Sequence, residues 1–156
     1  MNKWPWLLLS IVLVIADQLT KLWALSSLTP YEPVHLMPMV NFTLAFNTGA
    51  AFSFLSGAGI WHHWFFIIFS GLMSLLILAW MLRASYESRL LLFSLSLILS
   101  GALGNLIDRL VHGHVVDFID VYYQQYHWPV FNLADTAICI GAVCLIIDLL
   151  KNPETK

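Results

Sequence analysis

Four of the nine acidic residues fall within one stretch, GALGNLIDRLVHGHVVDFIDVYYQQYHWPVFNLAD, from Gly101 to Asp135. They are Asp108, Asp117, Asp120 and Asp135, and the stretch lies between two apolar runs. Asp117 and Asp135 flank one loop whose ends are anchored by the adjoining runs, and this makes them the candidate reacting pair. Two carboxylates a few ångströms apart cannot both ionise cheaply, so they share a proton. The ionised member can draw a proton from an attacking water while the protonated member polarises a carbonyl oxygen.

Each polar residue nearby also has an ordinary structural role open to it. Asp17 and Lys21 are spaced i, i+4 with the acid first, the favourable order for a helix ion pair, and structural pairing is the preferred reading. Gly101, Gly104 and Asn105 suit close helix approach with an interhelical hydrogen bond. Asp108 and Arg109 read as members of a scaffold ion pair or network, the arginine needing a partner from another element. Asn132 fits an N-cap with Asp135 in the first turn behind it, where the helix dipole favours negative charge. Asp117 and Asp120, in VVDFID, could be solvated loop acids. Asn47 and Gly49 stand in the preceding loop.

The elements that must position these groups are membrane spans. The chain has 156 residues, is 60% hydrophobic and only 10% charged, whereas soluble domains run nearer a quarter charged. The apolar residues come in blocks, and four spans are drawn at roughly 6–25, 63–82, 90–110 and 134–150, each long enough to cross a bilayer. The whole chain is expected to be a single polytopic membrane domain. The start, MNKWPWLLLSIVLVIADQLTKLWAL, is basic and then apolar but lacks a convincing small-residue cleavage site, so it reads as an uncleaved first span.

Orientation follows from Lys and Arg. Lys3, Arg83, Arg89, Lys151 and Lys156 fall on one side, and the loops 26–60 and 111–132 on the other contain neither residue. Both termini are therefore expected to be cytoplasmic. The intramembrane polar residues then collect in the outer leaflet. VNFTLAFN alternates like a strand and NTGAAFSFLSGAG reads as turns, which places a small β element in the first outer loop. Trp61, Trp64, Tyr122, Tyr123, Tyr126 and Trp128 form an aromatic belt near span ends. The expected fold class is an all-α membrane protein of four transmembrane helices carrying that β element.

Other chemistries have little support. His112–His114 and His62–His63 lack companions at zinc-like spacing, so no metal or other cofactor is expected. Cys139 and Cys144 cannot face each other on a helix and read as small core residues. A serine peptidase would need an elbow motif and an intramembrane histidine. The net charge of −2 gives no reason to expect nucleic acid. The competing classes are a small proton-coupled transporter, which would spread polar residues through the membrane depth, and an assembly factor with buried ion pairs, which leaves Asp117 and Asp135 unexplained. Four helices with an internal site need no partner subunit, so a monomer is expected.

Five stretches together resemble the lipoprotein signal peptidase (signal peptidase II) family across essentially the whole chain: DQLTK (17–21), FNTGAAFS (46–53), GALGNLIDR (101–109), VVDFID (115–120) and FNLAD (131–135). The resemblance implies an intramembrane aspartic endopeptidase of the bacterial inner membrane, with Asp117 and Asp135 catalytic and the site at the periplasmic leaflet. It implies supporting roles for Asn47, Gly49, Asn105, Asp108, Arg109, Asn132, Asp17 and Lys21. The implied substrate is a diacylglyceryl-modified prolipoprotein, cut just before the lipidated cysteine, with membrane lipid as its surroundings. The implied inhibitor is the cyclic peptide globomycin.

Overall fold

A computed structural model describes residues 2–49, 60–83 and 88–151; the turn-rich segment expected beyond Gly49 lies outside them. Four helices are long and apolar enough to cross a membrane: α1 (Trp4–Ser27), α2 (Ile60–Arg83), α3 (Arg89–His112) and α4 (Leu133–Lys151). Four strands complete the fold: β1 (Val34–Met37), β2 (Val40–Asn47), β3 (Val115–Tyr123) and β4 (Tyr126–His127). They form one antiparallel sheet in the order β1-β2-β3-β4. The expected helical membrane protein with a β element is what the chain forms, and the sheet also takes strands from the second loop.

α3 is the axis of the bundle. Of its most apolar stretch 61% is buried, against 22% in each of the other three helices. It begins at Ser88, whose side chain accepts the Leu91 N–H, and ends at Gly113, whose φ of 79° is the left-handed cap that glycine adopts without strain. In lipid, helix association needs close contact more than apolarity. α3 and α4 achieve it through glycine: a Cβ at Gly101 would lie 2.3 Å from the Ala134 carbonyl oxygen, and one at Gly141 would lie 2.9 Å from the Ser94 carbonyl oxygen. α2 also packs on α3 but has almost no contact with α4, which leaves a furrow between them.

The bundle has an apolar core at each end. Ile77, Met81, Leu92, Leu95 and Leu99 fill one, with Trp6 and Leu7 against them. At the sheet end, Ala24 of α1 packs with Leu44, Val116 and Phe118, so the sheet is seated on the tip of α1. The indole of Trp23 meets Phe42 and Phe118 edge-on. β2 carries one residue more than β3 opposite it, because the register steps between Phe42↔Ile119 and Ala45↔Asp117. This bulge, at Thr43–Leu44, shifts the phase of β2 relative to β3.

One ammonium group ties the elements together. Lys21 Nζ lies 2.8 Å from Asp17 on its own helix and 2.9 Å from Asp108 on α3. Asp17 in turn accepts the Ala134 N–H at the start of α4, at 2.9 Å. Asp108 accepts the Val116 N–H of β3 at 3.0 Å. Gln18 bridges the same two acids and the Gly104 carbonyl. The expected scaffold pairing of Asp108 therefore exists, but its cation is Lys21 rather than Arg109. Neighbouring positions on a helix point about 100° apart, so the arginine faces elsewhere. The cysteines are unbridged, as expected, but are not core residues: Cys139 is exposed and Cys144 half-buried.

Two outcomes follow for stability. Gly101→Ala is expected to lower the thermal midpoint of the purified protein in detergent by an amount equivalent to about 1–3 kcal/mol, since backbone must move to admit the methyl group. Lys21→Met is expected to cost more, about 3–5 kcal/mol, because it strands two buried carboxylates. An unchanged midpoint in Lys21→Met would mean that the ammonium does not organise the bundle.

Candidate active site

Above this scaffold, three asparagines each contribute one side-chain amide donor to the candidate pair. Asn132 Nδ2 donates to Asp117 Oδ1 at 2.7 Å, and Asn47 Nδ2 donates to Asp117 Oδ2 at 3.1 Å. Asn105 Nδ2 donates to Asp135 Oδ1 at 2.8 Å. A backbone donor completes the set, the Asn132 N–H reaching Asp135 Oδ2 at 3.3 Å. Every oxygen of the two carboxyl groups thus accepts one N–H.

None of these amides is free to turn over, because a second partner fixes each oxygen. Asn47 Oδ1 accepts the Gly49 N–H at 3.0 Å. Asn132 Oδ1 accepts the Asp135 N–H at 2.9 Å. Asn105 Oδ1 accepts from Lys21 Nζ and from Asn132 Nδ2, both at 3.1 Å. An ammonium can only donate, so the NH2 of Asn105 must face Asp135. Asn132 and Asp135 form a reciprocal capping box at the start of α4. The helix-start role read from N-L-A-D is therefore present, and the same two residues also meet the site.

Arg109 sits on the next side of α3. It donates to the Asn105 carbonyl at 3.2 Å and to the Gly49 carbonyl at 3.0 Å, with its guanidinium 5.4 Å from the centre of the Phe66 ring. The arginine fastens the end of the described loop to the bundle, and Gly49 is its anchor there.

Asp117 is 2% exposed and Asp120 3% exposed, so neither is a solvated loop acid. Both lie on β3, three residues apart and hence on opposite faces. Asp117 faces the bundle. Burial, and then the neighbouring Asp135 carboxylate, push its pKa up to about 7. Asp120 instead accepts from Asn41 Nδ2 and Thr43 Oγ1, both at 3.2 Å, and bonds His127 Nδ1 at 2.8 Å. It belongs to a separate cluster.

A cavity of about 360 Å³ opens beside Asp135, with Asp117 set back from its wall. Asp135, Asn105, Arg109 and Asn47 close its polar end, and Phe66, Phe69, Met73, Ile98, Ala102 and Ile138 line the rest. It occupies the furrow between α2 and α4. Its α3 wall runs from Arg109 to Ile98, about 16 Å at the helical rise.

The sequence-predicted residues sort into two shells. Asn47, Asn105 and Asn132 touch the aspartates, while Asp17, Lys21 and Asp108 act from behind them. Gln18 belongs to the second group and was not singled out from the sequence, although a glutamine inside an apolar span is itself a signal. His127, Asn41 and Thr43 were missed as well. Their partner Asp120 is remote from Asn41 and Thr43 in the chain, and no local spacing reveals the contact. No group of three metal-ligating side chains occurs among the described residues.

Comparison with known proteins identifies the family. The family model for signal peptidase (SPase) II matches residues 9–151. A lipoprotein signal peptidase of Cellvibrio japonicus is 48% identical over 151 residues, covering 97% of this chain and 89% of that protein. Another, of Ralstonia nicotianae, is 50% identical over 147 residues, with 94% and 84% covered. A bacterial membrane enzyme solved by the in meso method at 2.3 Å resolution superposes with a TM-score of 0.86 at 33% identity, covering 97% of this chain and 91% of that one. A second, at 1.9 Å, gives 0.82 at 34%, with 95% and 94% covered. With a family match over nearly its whole length and four spans to hold it in the bilayer, the chain is a bacterial membrane peptidase of the signal peptidase II family.

Proposed function

We propose that the chain removes signal peptides from diacylglyceryl-modified prolipoproteins, cutting before the lipidated cysteine with Asp117 and Asp135 as the reacting pair. The observation that carries this reading is the bridge made by Asn132, which bonds both carboxyl groups, Asp117 and the Asp135 that lines an otherwise largely apolar cavity. A cavity walled by Phe66, Phe69, Met73 and Ile138 suits an apolar peptide segment. Its place between α2 and α4 lets a substrate approach sideways from lipid while its acyl chains stay in the bilayer. The positive-inside pattern supports a periplasmic location for this end of the bundle.

In this mechanism Asp135 carries the negative charge at rest and Asp117 the proton. Asp135 stands at the N-terminus of α4, where backbone dipoles favour an anion. Lys21 polarises the Asn105 amide that donates to it. Asp117, with its pKa near 7, holds its proton below neutrality. The Asp135 carboxylate takes a proton from water as the oxygen attacks the scissile carbonyl. The Asp117 carboxyl donates a hydrogen bond to the carbonyl oxygen and stabilises the oxyanion as it forms. Collapse of the tetrahedral intermediate returns a proton to the leaving amine. Asn47, anchored through Gly49 to Arg109, keeps the rim of the cavity in place.

The test is cleavage of a purified diacylglyceryl-modified prolipoprotein in nanodiscs. Asp117→Asn and Asp135→Asn are each expected to lower kcat by at least about 10³-fold in folded protein. Near-normal turnover in either would reduce that aspartate to a structural acid. The pH profile gives a second check. A group that must be protonated and titrates near 7 supports full activity below that pH. Above it, kcat/KM should fall about tenfold per pH unit. Activity still rising from pH 7 to 9 would reverse the assignment of the two roles.

A further inference from the structure

The loop joining the two aspartates is a hairpin, and each arm carries one of them. The first arm is β3, with Asp117 near its start. The second runs from β4 back through Phe131 to Asn132 and α4. Backbone bonds hold the arms together at a few points: Tyr122 pairs with His127, the Trp128 N–H reaches the Val121 carbonyl at 2.8 Å, and Ile119 and Phe131 exchange bonds at 2.8 and 3.0 Å. Side chains cross between the arms as well: Asn132 Nδ2 donates to Asp117 at the helix end, and nearer the tip His127 Nδ1 lies 2.8 Å from Asp120 Oδ1.

That contact is set in a firmer frame than its place on a loop suggests. Asp120 is buried, and its other oxygen accepts from Asn41 and Thr43 of β2. The carboxyl group is therefore pinned to β2 on one side and to the second arm on the other. His127, half exposed, lies stacked on Tyr122 at 5.3 Å. Only four residues separate it from Asn132, whose side-chain amide donates to Asp117 and whose backbone N–H donates to Asp135.

We propose that Asp120 and His127 are positioning residues for the peptidase: their hydrogen bond fastens the two arms of the hairpin and so sets the relative placement of Asp117, Asn132 and Asp135. The proposal rests on Asp117 and Asp135 being the reacting pair. Neither Asp120 nor His127 touches the cavity, so the bond acts through the backbone of the two arms. A displacement of about 1 Å in a catalytic group can cost on the order of a hundredfold in rate; slack in one of several fastenings should cost less.

Two replacements separate the bond from the packing. His127→Phe keeps a ring against Tyr122 and removes the donor. His127→Asn keeps a donor at the Nδ1 position and removes the ring. Steady-state cleavage of the diacylglyceryl prolipoprotein, expressed per folded molecule, is expected to show kcat about tenfold lower in His127→Phe with KM unchanged. His127→Asn should be close to wild type. Asp120→Asn weakens the bond from the other end and should show the same split, with no further loss when combined with His127→Phe. Should His127→Phe not be recovered folded, Asp120→Asn decides by that split. Wild-type kcat in His127→Phe, equal losses in the Phe and Asn variants, or independent multiplication in the double variant would each overturn the fastener. Asp117→Asn is measured alongside. If it is inert while His127→Phe turns over normally, only the fastener falls; if it stays active, the dyad falls and the fastener with it.

Discussion

The rest of the structure depends on a cation buried where water cannot reach it. Lys21 is 2% exposed, and its ammonium group satisfies Asp17, Asp108 and the Asn105 oxygen at once. Through Asp17 it governs the start of α4, and through Asp108 the start of β3. A charge in such surroundings is costly unless every donor finds an acceptor. That requirement makes the arrangement of α1, α3, α4 and β3 nearly unique. A small misalignment of any one element leaves a carboxylate or an ammonium unpaired.

The candidate site inherits its order from this base. Carboxyl groups at the edge of an apolar bundle can be stabilised by many donors, and lysine or arginine would be the strongest. Here the direct donors are amides and one backbone N–H. Neutral donors stabilise without supplying a full charge at contact, so protonation of the pair stays accessible. The cations stand one residue behind, Lys21 on the far side of Asn105 and Arg109 on its carbonyl. The site is thus polar enough to hold an anion and weakly charged enough to share a proton.

Much of this was legible in the sequence, for physical reasons that differ by element. The spans announced themselves as apolar blocks, and the polar residues collected at one end of them. N-L-A-D displayed its cap because capping is local. The strand β3 did not show, since Val115, Val116, Asp117 and Phe118 are all buried and no alternation survives. Asp120 looked solvated because the donors of β2 that bury it arrive from far away in the chain. Asp108 lay beside Arg109 in sequence and pairs with Lys21 in space, a reminder that adjacency on a helix is divergence. The five family-like stretches pointed to the family that the comparisons show.

The bulge at Thr43–Leu44 settles a problem of parity. β3 presents its two acids to opposite faces, while a regular β2 would offer Asn41 and Asn47 to the same face. One additional residue between Phe42 and Ala45 inverts the strand midway, so that Asn47 meets Asp117 and Asn41 meets Asp120. The count at this point matters in addition to its composition, in which Thr43 donates to Asp120 and Leu44 is buried in the core. A strand shortened or lengthened by one residue there would turn one of the two asparagines away from its acid, however well its sequence were otherwise kept.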